Sequence, residues 1–156
     1  MRLTRQSSYA IRTLMYCAVN VPQLSRVADI AKAHGISELF LFKLIRPLVE
    51  NGLIETVRGR HGGIRLGRPA NEITLLDTIK LTEENFAMAE CFEGGDVTCP
   101  LVDACDLNAA LREALGAFFN VLDAYTIADL VGKRRSLRER LGLKLETLDP
   151  VTAAVN

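Results

Sequence analysis

The chain of 156 residues has no tryptophan, two histidines, three tyrosines and only 6% aromatic residues. It carries no G-x-x-x-x-G-K-[ST] nucleotide loop and no H-E-x-x-H metal-hydrolase motif. Its two histidines, His34 and His61, stand isolated. Hydrolytic and group-transfer constellations are therefore missing, and the chain is not expected to be an enzyme. No apolar run approaches the roughly 18 residues that span a bilayer, so no membrane partner is expected. Met1-Arg2-Leu3-Thr4-Arg5-Gln6 passes directly into an amphipathic segment and does not read as a signal peptide. A soluble, cytoplasmic protein is expected, with 49% apolar residues to fill a core. Net charge is missing too, with 19 basic against 19 acidic side chains.

That neutrality is a cancellation between segments. Residues 1–70 hold 11 basic and 4 acidic side chains, a net +7. Residues 71–110 hold one basic residue, Lys80, and nine acidic ones, a net −8. Residues 111–156 contribute +1. A basic head joined to an acidic middle points to a polyanion partner for the head.

Periodicity gives the head its architecture. Tyr9, Ile11, Leu14, Met15 and Ala18 recur at helical spacing between Arg5 and Val19, and Asn20-Val21-Pro22 ends that helix. Leu24, Val27, Ile30 and Ala31 form the apolar face of a second, short helix that Gly35 closes. Ser37 is a good N-cap for a third, from Leu39 to about Asn51, with Leu41, Leu44, Ile45, Leu48 and Val49 inward. Leu53 to Val57 and Ile64 to Leu66 read as strands around the basic, glycine-rich turn Arg58-Gly59-Arg60-His61-Gly62-Gly63. Three helices and a hairpin make the fold class mainly α: a winged helix-turn-helix with a two-stranded wing. Its third helix suits the major groove of double-stranded DNA, with Ser37, Glu38, Phe40 and Lys43 as expected exposed contacts. Arg58 and Arg60 are expected to reach phosphates or the narrow groove, and His61 to contact DNA or solvent. Gly62 and Gly63 would let the wing lie close to the sugar-phosphate wall.

Beyond residue 70, Asn71-Glu72 marks a cap region, and Ile73, Leu75, Leu76, Ile79 and Leu81 indicate a fourth short helix under the head. Residues 90–106 lose regular period. From Leu107, the positions Leu111, Ala114, Phe118, Val121, Leu122 and Tyr125 form a heptad-like seam on a long C-terminal dimerisation helix running to about Val131. Pairing with its copy in a second subunit gives a homodimer and a palindromic operator. The expected organisation is a DNA-binding domain at 1–70, a linking helix and cysteine loop at 71–106, the dimerisation helix at 107–132 and a partly flexible tail at 133–156.

Of the four cysteines, Cys17 lies in an apolar helical stretch and reads as core. Cys91, Cys99 and Cys105 crowd the acidic loop. Seven and five residues separate them, there is no C-x-x-C pair, and a fourth ligand for structural zinc is missing. Three thiolates on a loop suit an iron–sulfur cluster whose fourth iron position is filled otherwise. Two other readings stay open: a metal-free thiol switch on a DNA-binding regulator, and, in another class, a small iron–sulfur electron carrier. The carrier would have no need of the +7 head.

Taken together these residues resemble the iron–sulfur winged-helix transcriptional regulators, the family of IscR, NsrR and RirA. The resemblance covers residues 1–132. It rests on Met1-Arg2-Leu3-Thr4, Gly35-Ile36-Ser37, Asn51-Gly52-Leu53, Val57-Arg58-Gly59 with Gly62-Gly63, and the three cysteines. Within the family the rhizobial iron regulators are most similar, through residues 37–43, 86–93 and 99–103. The resemblance implies an iron–sulfur cofactor, 4Fe-4S with 2Fe-2S as the alternative, and repression of iron-uptake genes when iron is ample. Two ligands of the family do not carry over. Asn108 stands where cluster-biogenesis regulators place a histidine, and Ser8 where nitric-oxide sensors place an aspartate. Asp96, Asp103, Asp106, a water or a small thiol are then the candidates for the fourth position.

Overall fold

The computed structural model describes residues 3–92, 99–100 and 105–143. Among them the order is α1 (Arg5–Asn20), α2 (Val27–His34), α3 (Glu38–Glu50), β1 (Ile54–Val57), β2 (Gly63–Leu66), α4 (Leu75–Thr82), α5 (Asp106–Ala124), α6 (Ile127–Leu130) and α7 (Arg134–Arg140). Single 3-10 turns stand at Ala70–Glu72 and Glu90–Phe92. This is the winged helix-turn-helix expected from the periodicity, mainly helical with one two-stranded antiparallel sheet.

The three head helices close on an apolar core of Ala10, Leu14, Cys17, Ile30, Leu41, Ile45 and Leu48, capped by Leu53, Ile54 and Ile64 from the wing. Three helix ends in the head have an identifiable cause. Thr4 caps α1 through the backbone N–H of Ser7, and Ser37 caps α3 through that of Phe40. Gly35 ends α2 in the left-handed conformation, its N–H returned to the carbonyls of Ala31 and Lys32. The turn between α1 and α2 is held by Asn20, which donates to Ser25 Oγ at 3.1 Å and to the Leu24 carbonyl at 3.3 Å.

In the wing, Ile54 pairs with Leu66 and Val57 with Gly63. Ser25 adds a bridge to Ile64, with reciprocal backbone bonds of 2.9 and 2.8 Å, so the wing is tied to the segment that leads into α2. A Cβ on Gly63 would stand 2.8 Å from the Ser25 carbonyl oxygen, and one on Gly62 would stand 2.3 Å from that of Val57. Both glycines are thus required by close backbone approach inside the wing itself.

Two departures from the periodicity concern the C-terminal half. The long helix ends at Ala124 and does not run on to Val131. Thr126 and Asp129 form a reciprocal capping box that starts α6 afresh. Leu75 N–H donates to the Tyr125 carbonyl and Ile127 N–H to that of Ile73, both at 2.9 Å. Ile73 and Ile127, fully buried, thereby pin the end of α5 to the head core. The second departure is α7. Arg138, 7% exposed, donates to the Val19 carbonyl at 2.7 Å. Arg134 donates to the same carbonyl at 3.1 Å and to that of Val21. Because α1 has no basic residue in its own last turn, these arginines supply the positive charge its C-terminus favours. Residues 134–140 are therefore docked helix, and the remainder of the expected tail from 144 lies outside the described residues.

The N-terminal end of α1 is fastened to α4 by a small polar cluster. Ser7 Oγ lies 2.7 Å from Thr82 Oγ1, and Glu83 Oε1 accepts from the Thr4 backbone N–H at 2.7 Å and from Ser7 Oγ. Burial pushes the Glu83 carboxyl upward, but the hydrogen bonds from Ser7 and Thr4 outweigh it and leave its pKa lowered. A carboxylate with a depressed folded pKa stabilises above its unfolded value, about 4.3. That contribution disappears as pH falls through the folded value. Glu83→Gln is expected to cost about 1 kcal/mol at neutral pH. In urea titrations its midpoint should converge on that of the parent chain as pH drops below about 4.3. A gap that stays constant with pH would show that the carboxylate charge is not what holds the two helices.

Candidate DNA-reading face and cysteine site

The head exposes α3 and the wing. Ser37, Glu38 and Lys43 are exposed, as expected of groove contacts. Phe40 is not: it is half-buried, packed on the core with its ring 5.8 Å from that of Tyr9 in an edge arrangement. Its expected place is taken by two residues that periodicity alone had not singled out, Leu39 and Phe42, which are 69% and 54% exposed. The outward stripe of α3 is Leu39, Phe42, Lys43 and Arg46, at i, i+3, i+4 and i+7.

On the wing, Arg58, Arg60 and His61 are exposed. The other two arginines are engaged with their own fold. Arg65 pairs across the strands with Glu55 at 2.9 Å, and Arg68 with Asp77 at 3.5 Å. Among the described residues neither Arg58 nor Arg60 has an ion pair, so their charge is available to a polyanion. Arg60→Ala is expected to flatten the slope of log affinity for DNA against log salt by about 0.9, the share of one phosphate. Arg65→Ala, which removes a charge already paired, should change it much less. Fluorescence anisotropy between about 50 and 200 mM salt measures both slopes; equal slopes for all three proteins would take the wing tip out of the interface.

The cysteine site is built at the opposite end of the chain's logic, on the first turn of α5. Cys105 is the N-cap residue of α5, and its carbonyl accepts from the backbone N–H of Asn108 at 3.1 Å. The Asn108 side-chain amide in turn donates to Cys91 Sγ at 3.0 Å. Arg112, one turn further on, donates to Asn108 Oδ1 at 2.6 Å and lies 4.9 Å over the Phe92 ring. With its oxygen held by Arg112, the Asn108 amide must present N–H to the sulfur. The residue that replaces a family ligand is therefore a donor to a cysteine sulfur, a role that spacing did not reveal. Phe86, on the approach to this site, stacks edge-on against Phe119 of α5 at 5.0 Å.

Asn108 thus brings Cys91 and Cys105 to one end of α5. Both are half-buried free thiols, and Cys99 is an exposed free thiol. Of the candidate fourth ligands, Asp106 is exposed, while Asp96 and Asp103 lie outside the described residues. No group of three His, Cys, Asp or Glu side chains among the described residues is placed to hold a single metal ion. The donor set nevertheless fits a cluster: it is all soft thiol, and a cluster spreads its thiolate ligands over more than one iron, so the three need not converge on a single ion. Cys17 differs in kind. It is 2% exposed, and burial pushes its thiol up to about 12, so it stays protonated in the core. His34 is also remote from this chemistry, half-buried with its ring 6.4 Å from Tyr9 and 6.3 Å from Tyr16.

Along α5 the expected seam divides. Leu111, Phe118 and Leu122 are half-buried, whereas Leu107, Ala114, Val121 and Tyr125 are exposed. No residue of α5 is fully buried. Among the described residues no helix is long and apolar enough to cross a membrane.

Comparison with known proteins follows the same lines. The model of the Rrf2 family, described as an iron-dependent transcriptional regulator, matches residues 3–133. The chain is 62% identical over 154 residues to the protein aau3 of Rhizobium meliloti (strain 1021), covering 99% of each. It is 45% identical over 142 residues to the HTH-type transcriptional regulator NsrR of Geobacillus kaustophilus (strain HTA426), covering 90% of this chain and 97% of that one. Its fold resembles the solved structure of T. potens IscR, with a TM-score of 0.71 at 23% identity over 88% of this chain and 91% of the other. A winged-helix head with a basic wing, set in a family match that spans most of the chain, makes it a member of the Rrf2 family of DNA-binding transcriptional regulators, and not an enzyme.

Proposed function

We propose that this regulator is an iron-responsive repressor of iron-uptake genes, acting in the cytoplasm as a homodimer on a palindromic operator in double-stranded DNA. Iron and redox state would be read through a labile iron–sulfur cluster, 4Fe-4S or 2Fe-2S, held by Cys91, Cys99 and Cys105. The observation that supports this reading is the hydrogen bond from Asn108, on the first turn of α5, to Cys91 Sγ, which sets Cys91 against the helix that Cys105 caps. Such a cluster supplies iron that scarcity or oxidation can remove. The chain's own residues do the rest. Cys105 begins α5, and the backbone bonds of Leu75 and Ile127 lock the other end of α5 to the head. A change at Cys105 is therefore transmitted to the head through a rigid helix. Within a dimer joined along α5, that change resets the spacing of the two α3 helices. The coupling is reciprocal, so operator DNA should in turn tighten cluster retention at equilibrium if the iron-loaded form is the tighter binder.

Asn108 and Ser8 support lability, because neither can ligate iron as the family's histidine and aspartate do. A head at 1–70, a linking segment at 71–106 and a dimerisation helix that ends at Ala124 suit this division of labour. Purification without oxygen, followed by absorption and Mössbauer spectroscopy, tests the reading. A brown protein with a cluster quadrupole doublet is expected. A colourless, iron-free protein whose DNA binding still follows thiol oxidation would overturn it in favour of a metal-free switch.

A further inference from the structure

The outward stripe of α3 mixes two kinds of chemistry that a solvated helix face does not need. Lys43 and Arg46 are exposed cations, and before them stand Leu39 and Phe42, two of the most exposed large apolar side chains among the described residues. Arg46 is engaged with Glu50 at 2.9 Å, while Lys43 and Glu38 flank the two apolar groups, both exposed and without an ion pair among the described residues. Helical spacing puts Leu39, Phe42, Lys43 and Arg46 on one side, directly opposite Leu41, Leu44, Ile45 and Leu48 in the core. Neither apolar residue serves the head's packing. Phe40, the aromatic of this segment that does so, is turned inward against Tyr9.

We infer that Leu39 and Phe42 are specificity residues that read the methyl groups of thymines in the major groove. This rests on the DNA-reading role of α3 and deepens it. The occupant follows from the surroundings. A +7 head with a free lysine on the same stripe selects a polyanion over an apolar protein surface. The one apolar group that a duplex displays in the major groove is the thymine C5-methyl. Aliphatic and aromatic side chains at the leading turns of a groove-entering helix meet base edges first. Lys43, one residue after Phe42, then reaches a guanine edge or a phosphate next to the thymine.

The test uses the duplex that the full-length chain selects from a random double-stranded library. Uracil substituted for thymine at one position at a time removes a single methyl and leaves every hydrogen-bonding edge intact. At one or two positions in each half-site, uracil should weaken binding about 4-fold, the worth of one buried methylene-sized group. At those positions Phe42→Ala or Leu39→Ala should bind thymine and uracil forms equally, and Phe42→Leu should retain part of the preference. Each variant must still prefer the selected duplex over an unrelated one of the same length, which a chain that has lost its fold does not. Equal binding of thymine and uracil duplexes by the parent chain would overturn the inference, as would an undiminished preference in both alanine variants. If no duplex were enriched at all, the DNA-binding reading would fail, and this inference with it.

Discussion

Val121→Glu is expected to leave the head folded and to weaken operator binding by about 100-fold or more. Val121 is 57% exposed on α5, beside Leu107, Ala114 and Tyr125 on a stripe that nothing in its own chain covers among the described residues. A carboxylate there costs the monomer almost nothing, since surface changes away from special features are close to neutral. In a dimer paired along this seam it would bury two unpaired charges, which is strongly unfavourable. Each half-site would then be bound by a separate head. The gain from linking two binding events, commonly a factor of 10² to 10⁴, is lost with the dimer. Sedimentation should show a monomer with unchanged circular dichroism. A Val121→Glu chain that remains dimeric, or binds its operator as tightly as the parent, would remove α5 from the interface.

Cys91→Ala, Cys99→Ala and Cys105→Ala should each abolish the visible absorption of the anaerobically purified protein, and Cys17→Ala should preserve it. The contrast is set by environment. Cys17 is packed in the core with a thiol pushed up to about 12, and a ligand to iron must be a thiolate. Its removal leaves a small cavity, for which a loss of about 1 kcal/mol is expected. The other three cysteines are half-buried or exposed at the acidic segment. Loss of colour in Cys17→Ala, with an intact fold, would overturn the ligand assignment. Retention of full colour in any of the other three would do the same for that residue.

The head could be read from its sequence because each of its elements carries a local signal. Ser37 before an apolar period gives the start of α3, Gly35 gives the end of α2, and the β-branched stretch after Asn51-Gly52 gives the wing. What could not be read depends on distant partners. Phe40 lies at the margin of the buried face of α3, and only Tyr9, from another helix, decides that it turns inward. Gly62 and Gly63 have the composition of a loop that approaches DNA, yet the close neighbours that require them are the carbonyls of Val57 and Ser25. Neither proline nor glycine interrupts residues 126–131, so nothing in the local sequence signals an end to the helix. The break comes from the Thr126 and Asp129 capping box and from the bridge between Thr74 and Thr126. The arginines after Lys133 read as a charged tail, although two of them satisfy the end of α1, more than a hundred residues earlier.

The cysteine site was legible as a donor set and not as a geometry. Spacing points to Cys91, Cys99 and Cys105 as the proposed donors, and the family resemblance points to the loss of a histidine at Asn108. Neither could show that Asn108 donates to Cys91 while Arg112 fixes its orientation.

If iron held by the cysteine site sets the affinity of the head for DNA, anisotropy of a labelled duplex selected by the full chain, titrated without oxygen before and after iron is removed by a chelator, should show it directly. Tight binding is expected of the iron-loaded dimer, weaker binding after chelation, and recovery when iron and sulfide are restored. The same affinity for both forms would rule out iron control of the head.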